Sequence, residues 1–97
     1  MSIGLYDNGE LTGVSLGSIM HWCTGTEYYI HEFFIAREHQ NKGFGTVFLR
    51  EIEKYVKQLN VNHIFLQTER NLPAYSFYIK SGFSELKAHA SLVKIFD

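Results

Sequence analysis

Between Tyr28 and Thr68 the chain reads as strand, glycine turn, helix, strand, and this order limits the fold more than any other feature. Tyr28-Tyr29-Ile30-His31-Glu32-Phe33-Phe34-Ile35 is rich in the aromatic and β-branched residues that suit a pleated, half-buried surface. After the turn Gln40-Asn41-Lys42-Gly43-Phe44-Gly45, apolar residues recur at helical spacing at Phe44, Val47, Phe48, Ile52, Tyr55, Val56 and Leu59. Arg50, Glu51, Glu53, Lys54 and Lys57 fall largely on the other side. Val61 to Thr68 then alternates His63, Phe65 and Gln67 against Ile64, Leu66 and Thr68, as a strand with two unlike faces does. A strand, helix, strand unit implies two parallel neighbours inside a mixed sheet.

The flanks fill in the rest. Ile3 to Tyr6 and Leu11 to Trp22 are strand-like and enclose Asp7-Asn8-Gly9, a strong hairpin signal, and Thr24-Gly25-Thr26 makes the next turn. Asn71 is a reasonable N-cap region, Pro73 suits a first helical turn and Gly82 a helix stop, so a short second helix is predicted between them. Phe83 to Lys87 and Leu92 to Phe96 read as two closing strands around Ala88-His89-Ala90. The expected fold is α/β of the α+β kind, with a mixed, mostly antiparallel sheet and two helices, in one domain over residues 1–97. A domain of 97 residues has little margin in its core, so a missing piece or partner is plausible.

Composition removes several classes of function. A hydrophobic fraction of 45% and an aromatic fraction of 15% are those of a folded chain. Nine basic side chains stand against ten acidic ones with no Lys or Arg run, so no nucleic acid and no membrane surface is expected as a partner. Cys23 is the only cysteine, so neither an internal disulfide nor a cysteine metal cluster can form; beside it no activating base is apparent, and a packing role is the default. His21, His39, His63 and His89 lack metal-ligand spacing, and no metal site is expected. The start carries no basic segment followed by an apolar run, which makes the cytoplasm the default compartment.

Glycines at 43 and 45 leave two readings of the turn open. It is either a tight exit from strand to helix or an anion cradle, because unpaired N–H groups collect at a helix N-terminus. A second pattern follows one helix and one strand later: Asn71-Leu72-Pro73-Ala74-Tyr75-Ser76-Phe77-Tyr78-Ile79-Lys80-Ser81-Gly82-Phe83, or NxxAxxxYxxxGF. With QxxGxG before it, the chain resembles the GNAT superfamily of acyl-CoA-dependent N-acyltransferases, from about Gly4 onward and most strongly from Ile30 to Phe83. A nucleotide-binding loop is the weaker alternative, since the turn lacks a GKS or GKT ending.

The resemblance implies acetyl-CoA as cosubstrate, with its diphosphate on Gln40, Asn41, Lys42, Gly43, Phe44, Gly45 and the amide of Thr46. The pantetheine arm would pair with the backbone of Phe33, Phe34 and Ile35, in a wedge opened by a bulge where that strand and the next part. Asn71 would bond the arm, unless it serves as a helix cap, and Ala74 would keep the helix face low. Tyr78 would give a proton to the departing thiolate, unless it is a core aromatic. His31 or Glu32 would be the base; in a regular strand they point to opposite faces, and a bulge can turn Glu32.

Typical members of that superfamily have a strand and two helices ahead of the hairpin. Their lack here implies exposed apolar surface covered by homodimerisation, and an acceptor side that the residues present do not define. The implied function is acetyl transfer to a primary amine, of a small molecule or a protein, directly within a ternary complex. The alternative is a non-catalytic CoA-binding or interaction module derived from the same fold.

Overall fold

Asn8 and Gly9 both take positive φ, 53° and 78°, as the central pair of a type I′ turn must, and Asp7 opposes Glu10 across it. That turn joins β1 (Ser2–Asp7) to β2 (Glu10–Trp22), and the turn at Cys23 and Thr24 joins β2 to β3 (Gly25–Ile35). Helix α1 (Phe44–Lys57) leads to β4 (His63–Leu66), which lies parallel to β3, giving a four-stranded sheet in the order β1-β2-β3-β4. Helix α2 (Pro73–Lys80) follows. This computed structural model describes residues 1–96, which group into two units, Met1–Gln67 and a second from Thr68 onward.

In the first unit α1 covers one sheet face. Phe48, Leu49, Ile52 and Val56 are its buried residues, at the i, i+4, i+8 spacing of a single stripe with Leu49 beside it. Val47, Tyr55 and Leu59, which the apolar periodicity also selects, are exposed, so the helix is rotated toward Leu49. The stripe meets Tyr28, Ile30 and Val61, all buried, and Phe33 stacks on Phe48 with ring centroids 5.3 Å apart. Ser15 and Tyr28 bring two hydroxyls into this layer, and each satisfies the other at 2.8 Å. Burial holds the Tyr28 phenol above its ordinary pKa, an effect that the Ser15 bond partly offsets.

Helix α1 ends on Asn60 at φ 62°, with Val61 N–H donating to Val56 C=O at 3.1 Å and Asn60 N–H to Lys57 C=O at 3.1 Å. This is a Schellman closure in which Asn takes the left-handed position. It explains why β4 is shorter than Val61 to Thr68. The Val61 amide belongs to the helix end, the Asn62 amide donates to Thr26 C=O, and ladder pairing begins at His63.

The register of β2 against β3 slips once. Leu16 opposes Glu32 while Gly17 opposes Ile30, so His31 is the extra residue of a bulge. Gly17 makes this possible: a Cβ there would stand 2.3 Å from the Tyr29 carbonyl oxygen and 2.6 Å from the Tyr28 ring. Gly17→Ala is therefore expected to destabilise the chain by about 1–3 kcal/mol, seen as a lowered midpoint in thermal or urea unfolding. An unchanged midpoint would show that the strands can part at this point without cost.

In the second unit, Pro73 is at the start of α2 and Gly82 closes it at φ 100°, with Phe83 N–H on Tyr78 C=O at 3.1 Å and Gly82 N–H on Ile79 C=O at 3.2 Å. Two expectations need correction. Leu72 is the N-cap and no side chain caps α2, so Asn71 is not the cap. Phe83 to Lys87 and Leu92 to Phe96 form no strand among the described residues. A strand exists through ladder partners and packed faces. Here Leu92, Val93, Ile95 and Phe96 are 81–93% exposed, so no face of the described residues buries them. Residues after Gly82 are instead held by Glu85, which accepts from the guanidinium of Arg70 and from the Tyr75 hydroxyl at 2.8 Å.

Candidate functional site

The turn before α1 is built from backbone angles that few residues adopt. Asn41 has φ 62° and Gly43 φ 82°, and among the described residues no atom beyond its chain neighbours lies within 4 Å of where a Gly43 Cβ would stand. Gly43 is the N-cap of α1, and the first helical bond, Val47 N–H to Gly43 C=O at 3.2 Å, leaves the amides of Phe44, Gly45 and Thr46 ahead of it. No side chain caps this end and its first turn carries no acid. The positive end of the helix dipole is thus left uncompensated by the first unit's own side chains.

Two contacts fix the turn. Gln40 Nε2 donates to the Ile35 carbonyl at 3.0 Å, tying the turn to the end of β3. His39 lies with Nε2 3.7 Å from a Glu10 carboxylate oxygen and its ring edge-on to Phe44, centroids 5.2 Å apart. Glu10, Glu38 and His39 bring three donor atoms within 4.8 Å of one another, a grouping that spacing in the sequence did not suggest. His63 and His21 likewise pin strands, to Glu27 at 3.1 Å and to Thr26 at 3.3 Å.

The strands part where the bulge lies. The β3–β4 ladder runs from Glu27 opposite His63 to Ile30 opposite Leu66 and stops, while β3 continues beside β2 to Ile35. Phe33, Phe34 and Ile35 lie beyond its last rung. The bulge also shifts the alternation by one residue. Tyr28 and Ile30 face α1 before it and Phe33 does so after it, which puts both His31 and Glu32 on the opposite face.

On that face Tyr29 donates from its hydroxyl to Gln67 Oε1 at 2.9 Å and packs edge-on to Phe65 at 5.1 Å. Its ring also lies against the His31 imidazole, centroids 4.3 Å apart, and His31 Nε2 is 2.9 Å from Ser18 Oγ. Ser18 is therefore a member of the group that the sequence did not reveal; only the register, which sets β2 beside β3 here, brings it there.

In the second unit Tyr78 packs against Phe77 and Phe83, centroids 5.3 and 5.5 Å away. Burial raises its phenol pKa above the ordinary 10.0, so it stays protonated through neutrality, the state required of a proton donor. Asn71 and Ala74 precede it, exposed, at the start of α2. Glu85 is held below the ordinary carboxylate range by the Arg70 guanidinium first and the Tyr75 hydroxyl second. Its contribution to stability is therefore complete above that range and lost as pH falls below it. Cys23 is exposed in its hairpin turn, so the core packing expected of a lone cysteine does not apply.

A parallel β–α–β unit with an uncapped glycine turn at its helix start, and a sheet that splays beside it, is the arrangement of an N-acetyltransferase fold. The chain belongs to the acetyltransferase (GNAT) family, whose model matches residues 1–83. It is 32% identical over 91 residues to the uncharacterized N-acetyltransferase YobR of Bacillus subtilis, covering 93% of this chain and 35% of that protein. Among solved structures, an aminoglycoside acetyltransferase from an uncultured soil metagenomic sample superposes with a TM-score of 0.77 at 20% identity, over 97% of this chain and 65% of that one. A putative acetyl transferase from Pyrococcus furiosus does so at 0.76 and 22%, over 96% and 62%. The chain thus spans about a third of the curated relative's length and just under two thirds of these structures.

Proposed function

We propose that this chain carries out acetyl transfer from acetyl-CoA to a primary amine, directly within a ternary complex. The observation that carries the reading is the α1 N-terminus: amides of Phe44, Gly45 and Thr46 ahead of the first helical bond, no capping side chain, and Gly43 opening onto free space. That is what a diphosphate needs. Asn41, by its positive φ, shapes the approach, Gln40 braces the turn and Lys42 adds a nearby charge. The backbone of Phe33, Phe34 and Ile35, past the end of the β3–β4 ladder, would take the pantetheine amides, with Asn71 as a further donor and Ala74 leaving room.

The acetyl thioester supplies the electrophile. As the amine nitrogen bonds to the carbonyl carbon it loses a proton to His31, and as the carbon–sulfur bond breaks the thiolate takes a proton from Tyr78. A backbone N–H near Phe33 or Phe34 would hold the oxyanion. Glu32, on the same face as His31, would favour a cationic acceptor. The single-domain reading of residues 1–97 belongs to the same proposal. So does a cytoplasmic setting, which suits a free, exposed Cys23. Leu16, Met20, Trp22 and Phe34 are exposed at 36–53%, and a homodimer burying them is expected; a monodisperse monomer in light scattering at micromolar concentration would count against it.

The test is thiol release from acetyl-CoA with a panel of primary amines. Release that depends on the amine supports the reading, and acetyl-CoA binding without any release favours the non-catalytic module. Gly43→Ala probes the cradle separately. A left-handed residue with a Cβ costs about 1–2 kcal/mol, and relaxing it moves the amides off the diphosphate, so acetyl-CoA is expected to bind about tenfold more weakly by calorimetry. Unchanged affinity would place the diphosphate elsewhere.

A further inference from the structure

We propose that Ser18 is a positioning residue for His31, holding the imidazole through Nε2 so that Nδ1 is the nitrogen left open to take the proton of the acceptor amine. The inference rests on the acetyl-transfer reading above and concerns a residue on a different strand, 13 positions away.

His31 is the extra residue of the β3 bulge, a position whose backbone is relieved of strict ladder geometry and whose side chain must be held by other means. Residues from three segments do so. From β2, Ser18 Oγ lies 2.9 Å from Nε2. From β3, the Tyr29 ring lies against the imidazole with centroids 4.3 Å apart and planes 38° from parallel. From beyond β4, Gln67 Oε1 accepts the Tyr29 hydroxyl at 2.9 Å and so keeps that ring in place. One ring nitrogen is thereby committed to Ser18, and the other is left for chemistry.

A neutral imidazole carries its proton on one nitrogen and accepts on the other. When Nε2–H donates to Ser18 Oγ, Nδ1 holds the lone pair that a base needs. When Nδ1 then takes the amine proton, both nitrogens carry hydrogen, and the Nε2–H bond to Ser18 persists and strengthens because its donor is now charged. The same hydroxyl thus serves the ring before and after proton transfer without moving. A regular strand could not offer this arrangement, since removing the bulge would return Glu32 to the α1 side and change which β2 residue stands beside position 31.

The test uses the whole chain and two variants, Ser18→Ala and Ser18→Thr. Nitrogen-15 NMR of the His31 ring is expected to show Nε2 hydrogen-bonded in the wild type and in Ser18→Thr, and released to solvent in Ser18→Ala. In the amine-dependent assay, Ser18→Ala is expected to lower kcat about tenfold with the KM for acetyl-CoA unchanged, and Ser18→Thr to restore it. An Nε2 signal identical in wild type and Ser18→Ala, or an unchanged kcat in Ser18→Ala, overturns the proposal. A Ser18-dependent Nε2 signal in a protein that acetylates no amine overturns instead the acetyl-transfer reading, so the two failures are told apart.

Discussion

Tyr78→Phe is expected to lower amine-dependent thiol release by about a hundredfold to ten-thousandfold, the range that a lost general acid covers. The substitution removes only the hydroxyl. The ring contacts to Phe77 and Phe83, at 5.3 and 5.5 Å, are made by atoms that phenylalanine keeps. The loss should fall on kcat, because the proton is needed as the carbon–sulfur bond breaks and not for binding. The pH profile gives a second readout. Burial favours the neutral phenol, so the alkaline fall in rate caused by its ionisation should lie above pH 10.0, and that limb should vanish in the variant. A rate equal to wild type would return Tyr78 to the role of a core aromatic.

Phe48→Ala is expected to cost about 3–5 kcal/mol of unfolding free energy, the largest stability effect in the first unit. Phe48 is 1% exposed, stacks on Phe33, and lies against the space above Gly13, where a Cβ would come within 3.2 Å of its ring. Truncation opens a cavity between α1 and β3 beside Phe33 and Gly13. A chain of 97 residues has a total stability of about 5–15 kcal/mol, so a large part would be lost. Urea unfolding should show a lowered midpoint with the slope preserved, since the surface exposed on unfolding hardly changes. A loss below about 1 kcal/mol would mean that α1 is held to the sheet mainly by Ile52 and Val56.

Local chemistry made several elements legible before the structure. Asn8-Gly9 fits a type I′ turn, Pro73 and Gly82 mark the limits of α2, and the stripe through Phe48, Ile52 and Val56 identifies α1; each is decided by a residue's own backbone or side-chain preference. The elements misread depend on partners. Leu92 to Phe96 has the composition of a strand, but a strand needs a ladder and a packed face, and among the described residues it has neither. Leu49 is buried and Val47 exposed because the rotation of α1 is set by packing on the sheet, where Phe48 stacks on Phe33, and no window along the helix contains that partner.

The candidate site divides in the same way. Gln40 to Gly45 is contiguous and could be read directly. A bulge that turns Glu32 onto the face of His31 was one of two readings, and the sequence could not place it, because its position depends on Gly17 of the neighbouring strand and pairing across strands leaves no local mark. Ser18 was invisible for the same reason. For Asn71 the sequence left a ligand contact and a helix cap both open, and the structure removes the cap; the packing role that was the default for Cys23 gives way to exposure in a turn.

The most direct test of the diphosphate site is an amide NMR titration of the whole chain with acetyl-CoA. The largest shifts are expected at Gly43, Phe44, Gly45 and Thr46, with a second group at Phe33 to Ile35 and no comparable change in the Asn8-Gly9 turn. An absence of shifts at the α1 N-terminus with cosubstrate at millimolar concentration would contradict the account.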